Sequence, residues 1–132
     1  MLIEEILAIK QKCNLENEIA RVYNLSGKEM ECILALSRAG ELSSKELASR
    51  IDLSPSRCSR IIGRLMEEGL VQGVPHREDR RFLELSLTPG GLACRDGLEE
   101  EKKMCEQRLF ASLSARQIAD IRKGLNLLLK AL

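Results

Sequence analysis

A mainly helical chain carrying one small β-hairpin is what the sequence predicts, and three observations predict it. Capping residues recur at Ser26, Ser43, Ser54, Thr88 and Ser114, each followed by helix-compatible sequence. Between residues 70 and 87 the pattern changes. Residues 70–74 read as one strand and 82–87 as another, with Leu83, Leu85 and Leu87 alternating against Glu84 and Ser86. The tip between them is polar throughout: Pro75-His76-Arg77-Glu78-Asp79-Arg80-Arg81. Two helices in close succession, the second bearing arginines, followed by strand, tip and strand, make a winged helix-turn-helix.

The first helix carries Leu2, Ile6, Ile9 and Cys13 on one stripe, and Asn14 and Asn17 are expected to break it near Cys13. Ser26-Gly27-Lys28-Glu29 reads as a capping box ahead of Met30, Ile33, Leu34 and Leu36, and Gly40 ends that helix. Ser43-Ser44-Lys45-Glu46 opens a short helix through Leu47, Ala48 and Ile51, and Asp52-Leu53 is the turn. Ser54 then caps the next helix, with Pro55 at its first position, where the missing N–H costs nothing. In this helix Cys58, Ile61, Ile62 and Leu65 form the apolar stripe, while Ser56, Arg57, Ser59, Arg60, Gly63 and Arg64 turn the other way. Glu68-Gly69 closes it. After the hairpin, Thr88-Pro89 starts a helix expected to reach about Phe110, roughly 30 Å long at 1.5 Å per residue. Ser114-Ala115-Arg116-Gln117 is a third capping box, for a last helix.

Both ends of the chain have apolar seams that need a partner. Ile118, Ile121, Leu125, Leu128 and Leu132 repeat at three and four residues, and Cys94, Leu98, Cys105 and Leu109 form a comparable stripe in the long helix. The expectation is one domain over residues 1–132. A DNA-binding lobe occupies 25–90, and residues 1–24 and 91–132 supply the helices that make a homodimer. The alternative is that those helices only cap the monomer's own core.

With 21 Lys and Arg against 20 Asp and Glu, the formal charge is +1, which excludes a uniformly basic nucleic-acid coat but not a local basic face. Glu99-Glu100-Glu101 is a compensating acidic run. No apolar stretch is long enough for a bilayer and no secretory leader is recognisable, so a cytoplasmic protein with no membrane partner is expected. Five cysteines without close pairing fit a reducing compartment. Tyr23, Phe82 and Phe110 are the only aromatic residues, which argues against a large aromatic pocket for a planar effector. Neither a Gly-rich phosphate loop nor a metal triad is present, and the single histidine has no partner nucleophile, so no enzyme and no cofactor are expected.

From Ser54 to Met66 there are three arginines and no acid. Arginine pairs bidentately with guanine in the major groove, serine is tolerant, and glycine admits phosphate closely. The candidate DNA contacts are Ser44, Ser54, Ser56, Arg57, Ser59, Arg60 and Arg64 on the helices, and Arg77, Asp79, Arg80 and Arg81 on the hairpin. A winged helix used only for protein interaction is the competing class, and it does not require both the arginine face and the arginine tip.

The order of these segments resembles the MarR family (multiple-antibiotic-resistance regulators) over nearly the whole chain. Residues 25–34 resemble its second helix, 44–53 the helix that follows, and Ser54 to Leu70 its recognition helix with a Leu65-Met66-Glu67-Glu68-Gly69-Leu70 end. Asp79-Arg80-Arg81 followed by Leu87-Thr88-Pro89-Gly90-Gly91 matches its wing signature. The resemblance implies a homodimeric transcription regulator, usually a repressor, on a palindromic double-stranded operator, released by a small molecule, a metal or an oxidant. It implies too that Asp79 holds the wing so that Arg81 reaches the minor groove, where narrow A·T-rich segments attract arginine. Metal-responsive members use clustered histidines, whereas His76 stands alone on the wing and is expected in solvent. The peroxide-sensing pattern does not fall on Cys13, which lies too close to Ser26.

For the thiols, Cys13 and Cys105 belong to helices expected to meet near the dimer interface, which makes them the candidate redox pair. Lys102 and Lys103 are the local positive charges near Cys105, offset by Glu101 and Glu106. The alternative is that all five cysteines are small buried hydrophobes.

Overall fold

The computed structural model describes residues 1–13 and 20–132, and the elements used below are those whose bounds lie within them. They are α1 (Leu2–Lys12), α2 (Gly27–Ala39), β1 (Glu41–Ser43), α3 (Ser44–Arg50), α4 (Pro55–Glu67), β2 (Val71–Pro75), β3 (Leu83–Leu87), α5 (Pro89–Phe110) and α6 (Ala115–Ala131). The mainly helical winged helix-turn-helix expected from the sequence is the fold observed. The described residues form two compact units, Met1–Leu98 and Glu99–Leu132, and the division falls inside α5.

Most of the predicted caps act as read. Ser26, Ser43, Ser54 and Ser114 each accept the N–H three residues on, and at Ser114 the Gln117 side chain closes the reciprocal box. Gly40 and Gly69 take positive φ at the ends of α2 and α4, as a helix stop requires. Asp52, in the turn between α3 and α4, takes φ 53°, a conformation aspartate tolerates better than most residues. Lys28 Nζ donates to the Ile51 carbonyl at 2.9 Å and so satisfies the end of α3. Helix α1 stops at Cys13 as expected, while Asn14 and Asn17, the residues read as breaking it, lie outside the described residues.

The sheet has one strand more than the sequence reading gave. β1 pairs antiparallel with β3, Leu42 opposite Leu85, and β2 pairs with β3 from Val71 opposite Leu87 to Pro75 opposite Leu83. The strand order is therefore β1-β3-β2. The core beneath this sheet is aliphatic: Met30, Ile33 and Leu36 of α2, Leu47 of α3, Ile62 and Leu65 of α4, and Leu42 and Leu85 of the strands. Cys94 and Leu98 of α5 join the same cluster.

The Leu87-Thr88-Pro89-Gly90-Gly91 motif has a structural reason. Thr88 donates its hydroxyl to the Gly69 carbonyl at 2.5 Å and accepts the Gly91 N–H at 3.0 Å, so one side chain ties the end of α4 to the start of α5. A Cβ at residue 91 would collide with the Leu70 carbonyl, which is why glycine stands where α5 crosses the end of α4.

Helices α1 and α6 bury no residue within the chain. On α6 Ile121 and Leu125 are exposed, as is Leu132 just beyond it, and on α5 the expected stripe divides: Cys94 and Leu98 are buried, whereas Leu109 is open. Among the described residues, no helix is long and apolar enough to cross a membrane.

Candidate nucleic-acid interface

Helix α4 presents two unlike faces. Cys58, Ile62 and Leu65 are buried, Ile61 is partly buried, Ser56, Arg57, Ser59 and Arg60 are exposed on the other side, and the exposed Ser54 stands at the helix N-terminus. Ser54 Oγ caps the helix by accepting the Arg57 N–H at 3.3 Å, and lies 3.4 Å from Ser56 Oγ. No acid occupies the first turn of α4, and among the described residues Arg57 and Arg60 make no ion pair. These two guanidinium groups are uncompensated cations on an exposed helix face.

Arg64 is placed differently. Its Nη1 lies 3.0 Å from Oε1 of Glu29, whose side chain is only 4% exposed, while the arginine side chain is 51% exposed. The capping box read at Ser26 is thereby half formed: Ser26 Oγ accepts the Glu29 N–H at 3.1 Å, but the glutamate side chain leaves its own helix for α4. Ser44 is also turned inward, its Oγ accepting the Leu83 N–H at 3.2 Å, which fixes the base of the wing to the start of α3.

At the wing tip Asp79 organises the backbone and Arg81 together. Its Oδ1 accepts the Arg81 N–H at 3.1 Å and Nε–H at 3.0 Å, and its Oδ2 accepts Nη2–H at 2.7 Å. Arg81 nevertheless keeps 84% of its side chain exposed, so the guanidinium is oriented and still available. Arg77 and Arg80 are exposed on the same tip. His76, expected alone in solvent, is half-buried and engaged at both ring nitrogens. Nδ1 accepts the Glu78 N–H at 3.2 Å and Nε2 lies 3.2 Å from Glu84 Oε2, an arrangement the neutral ring satisfies with its proton on Nε2. The lone-histidine reading missed Glu84 because the two meet only across the hairpin.

The hydrogen bonds from Arg81, side chain first and backbone second, hold the Asp79 carboxyl below its ordinary value of 3.8. A depressed carboxylate pKa means that the wing clamp is complete above the ordinary carboxylate range and is lost as pH falls through the lowered value. We expect the Arg81 Nε–H resonance to stay sharp and shifted from neutral pH down past the ordinary carboxylate value of 3.8, and to collapse to free-arginine behaviour only below that. Asp79→Asn should show the free behaviour throughout, and an Arg81 signal indifferent to both would show that no clamp exists in solution.

Between α3, α4 and the wing runs a groove of about 570 Å³, lined chiefly by Ala48, Leu53, Pro55, Cys58, Ile62 and Phe82. Phe82 is its single aromatic ring, and Lys45 Nζ stands 5.8 Å from that ring's centre. The groove is aliphatic, as the scarcity of aromatic residues implied.

The thiols divide into two sets. Cys32, Cys58 and Cys94 are buried, Cys13 is exposed and Cys105 is partly exposed, so the reading of all five as buried hydrophobes is corrected at Cys13 and Cys105. Burial first, then the neighbouring Cys58 and acidic charges, push the Cys32 thiol up to about 12, and burial raises Cys58 and Cys94. Lys102 is drawn towards Glu99 at 3.7 Å, and the cation beside Cys105 is Arg108, whose Nη2 lies 3.5 Å from Sγ. We therefore expect a thiol reagent to modify two cysteines quickly in the native protein and the other three only on unfolding. Rapid labelling of all five under native conditions would contradict the buried set. Among the described residues no group of three or more His, Cys, Asp or Glu side chains could hold a metal ion.

Comparison with known proteins places this geometry among relatives. The sequence model of the MarR family matches residues 23–81. The chain is 26% identical over 112 residues to the HTH-type transcriptional repressor IacR of Pseudomonas putida, a match covering 85% of this chain and 66% of that protein, just under two thirds of its length. In three dimensions it superposes on the apo form of wild-type MarR from E. coli with a TM-score of 0.82 and 24% identity, covering 98% of this chain and 96% of the other. The YusO protein of Bacillus subtilis superposes with a TM-score of 0.85 and 21% identity, covering 99% and 94%.

Proposed function

We propose that this chain, whose residues 23–81 match the MarR family model, is a MarR-family transcriptional regulator that acts as a homodimeric repressor on a palindromic DNA operator. The observation that carries this reading is the exposed, uncompensated Arg57 and Arg60 on α4 together with the oriented Arg81 on the adjoining wing. Arginine and serine on the N-terminal half of α4 suit base edges in the major groove, and an arginine-tipped wing suits a narrow minor groove. In this reading Ser54, Ser56, Arg57, Ser59 and Arg60 face the groove, Arg77, Arg80 and Arg81 face the flanking backbone and minor groove, and Asp79 sets the wing. Ser44 and Arg64 serve as supports.

Two copies are supported by α1 and α6, which bury nothing within the chain while α1 exposes Leu2, Leu7 and Ile9, and α6 exposes Ile121 and Leu125. A second copy covering those faces pairs two recognition helices, so that half-sites fall about one helical turn apart. Of the two effector classes expected, the groove beside α4 offers room for a small molecule, and the accessible thiols Cys13 and Cys105 are the groups an oxidant would meet.

Selection of genomic fragments by the purified protein, followed by footprinting and sedimentation, tests the whole reading. The expected result is a dimer protecting an inverted repeat, with affinity falling steeply as salt rises. A stable monomer with no footprint, or binding indifferent to salt, overturns it.

A further inference from the structure

Glu29 is the only buried charged side chain among the described residues. Its Oε1 forms an ion pair with Arg64, 3.0 Å from Nη1, and its Oε2 meets no hydrogen-bond partner among the described residues. A carboxylate carried into a core with one oxygen unpartnered adds little stability over an apolar side chain of the same size. Stability therefore gives no reason for an acid at this position. Its effect on Arg64 does. Arg57, Arg60 and Arg64 lie on one stripe of α4, yet only Arg64 has its charge met by an acid.

We propose that Glu29 is a positioning residue of the reading lobe: it holds the Arg64 guanidinium against α2, and so keeps that charge off the DNA phosphates while bracing the recognition helix. The inference rests on the DNA-binding reading above. Phosphate contacts raise affinity for every sequence alike, so an arginine withheld from the backbone lowers non-specific binding more than it lowers operator binding. Arg64 is half exposed and would find phosphate within reach of its free end once Glu29 let go. Glu29 thus acts on sequence discrimination without touching DNA.

The test uses the full chain as wild type, Glu29→Leu, Glu29→Gln and the double variant Glu29→Leu/Arg64→Met, each checked for an intact fold by circular dichroism. Fluorescence anisotropy measures binding to the operator fragment recovered by the wild type and to a scrambled duplex of equal length, over a series of KCl concentrations. Glu29→Leu should steepen the slope of log affinity against log salt by about 0.9, the value of one phosphate contact, and tighten scrambled-duplex binding several-fold. The ratio of operator to scrambled affinity should fall. The double variant should return to the wild-type slope, and Glu29→Gln, which keeps an acceptor oxygen, should lie between.

A wild-type slope steeper than the double variant's by about 0.9 overturns the proposal, because Arg64 would then already be on phosphate. An unchanged slope and ratio in Glu29→Leu overturns it too, leaving a packing role alone. Nitrogen-15 NMR of the Arg64 guanidinium in the free protein separates this failure from that of the DNA reading. Rotation restricted in wild type and free in Glu29→Leu, with no duplex bound by any variant, means that the clamp exists and the DNA reading is wrong. Equal rotation in both means that the clamp itself is absent.

Discussion

Arg64→Met is expected to destabilise the fold by about 3 kcal/mol, the lower end of what stranding a buried charge costs, whereas removing both partners should be nearly neutral. The asymmetry follows from where each charge sits. Glu29 is 4% exposed and cannot return to water without opening α2 from α4, so loss of the arginine leaves a desolvated carboxylate with no counter-charge. Arg64 is 51% exposed, and its head can swing into solvent when Glu29 is replaced, so Glu29→Leu, which puts an apolar side chain of similar volume in place of a buried acid, should cost less than about 1.5 kcal/mol. Urea denaturation of the two single variants and of Glu29→Leu/Arg64→Met gives the coupling directly. A favourable coupling of about 2 kcal/mol or more is expected from a pair in contact. Strict additivity, or a Glu29→Leu variant as unstable as Arg64→Met, would show that the ion pair does not hold α4 to α2.

That same pair marks the boundary of what the sequence could reveal. Local chemistry was legible. Ser54, Pro55, Gly69 and Ser114 signal their helix ends through backbone groups within a few residues, and each acts in the structure as read. The Asp79-Arg80-Arg81 run announced an ordered tip, and the structure ties Asp79 to Arg81 with four hydrogen bonds. Long-range pairing was not legible. A glutamate three residues after Ser26 reads as a capping partner, and nothing local says that its side chain crosses to Arg64. β1 is three residues long with one inward leucine, too short for a period-two pattern, and its partner β3 begins forty residues later. Ser44 and His76 have the same history. Each looks like a free polar residue until Leu83 or Glu84 returns along β3 to meet it.

Arg60→Ala should weaken operator binding by about 1–3 kcal/mol and relax the preference at one base position, while leaving binding to a scrambled duplex little changed. Arg60 is exposed on the uncompensated face of α4, so its loss disturbs no internal pair and, in the proposed DNA-binding role, removes a base contact. Arg81→Ala should also weaken binding, because it removes an oriented cation from the wing. The sharper test is Asp79→Ala. If the wing acted through net charge alone, deleting an acid beside the DNA would tighten binding. The structure predicts the opposite sign, since Asp79 fixes both the backbone and the guanidinium of Arg81 through Oδ1 and Oδ2. Without it Arg81 must be ordered on binding, at a cost in side-chain entropy, and the wing loses its set conformation. We expect Asp79→Ala to bind the operator more weakly than wild type, by a margin approaching that of Arg81→Ala, and the double variant to be little worse than Arg81→Ala alone. Anisotropy with the operator and its single-base variants measures all four proteins in one series. Tighter binding by Asp79→Ala would mean that the wing contributes charge and not geometry, and equal losses for Arg60→Ala on operator and scrambled duplex would place Arg60 on phosphate.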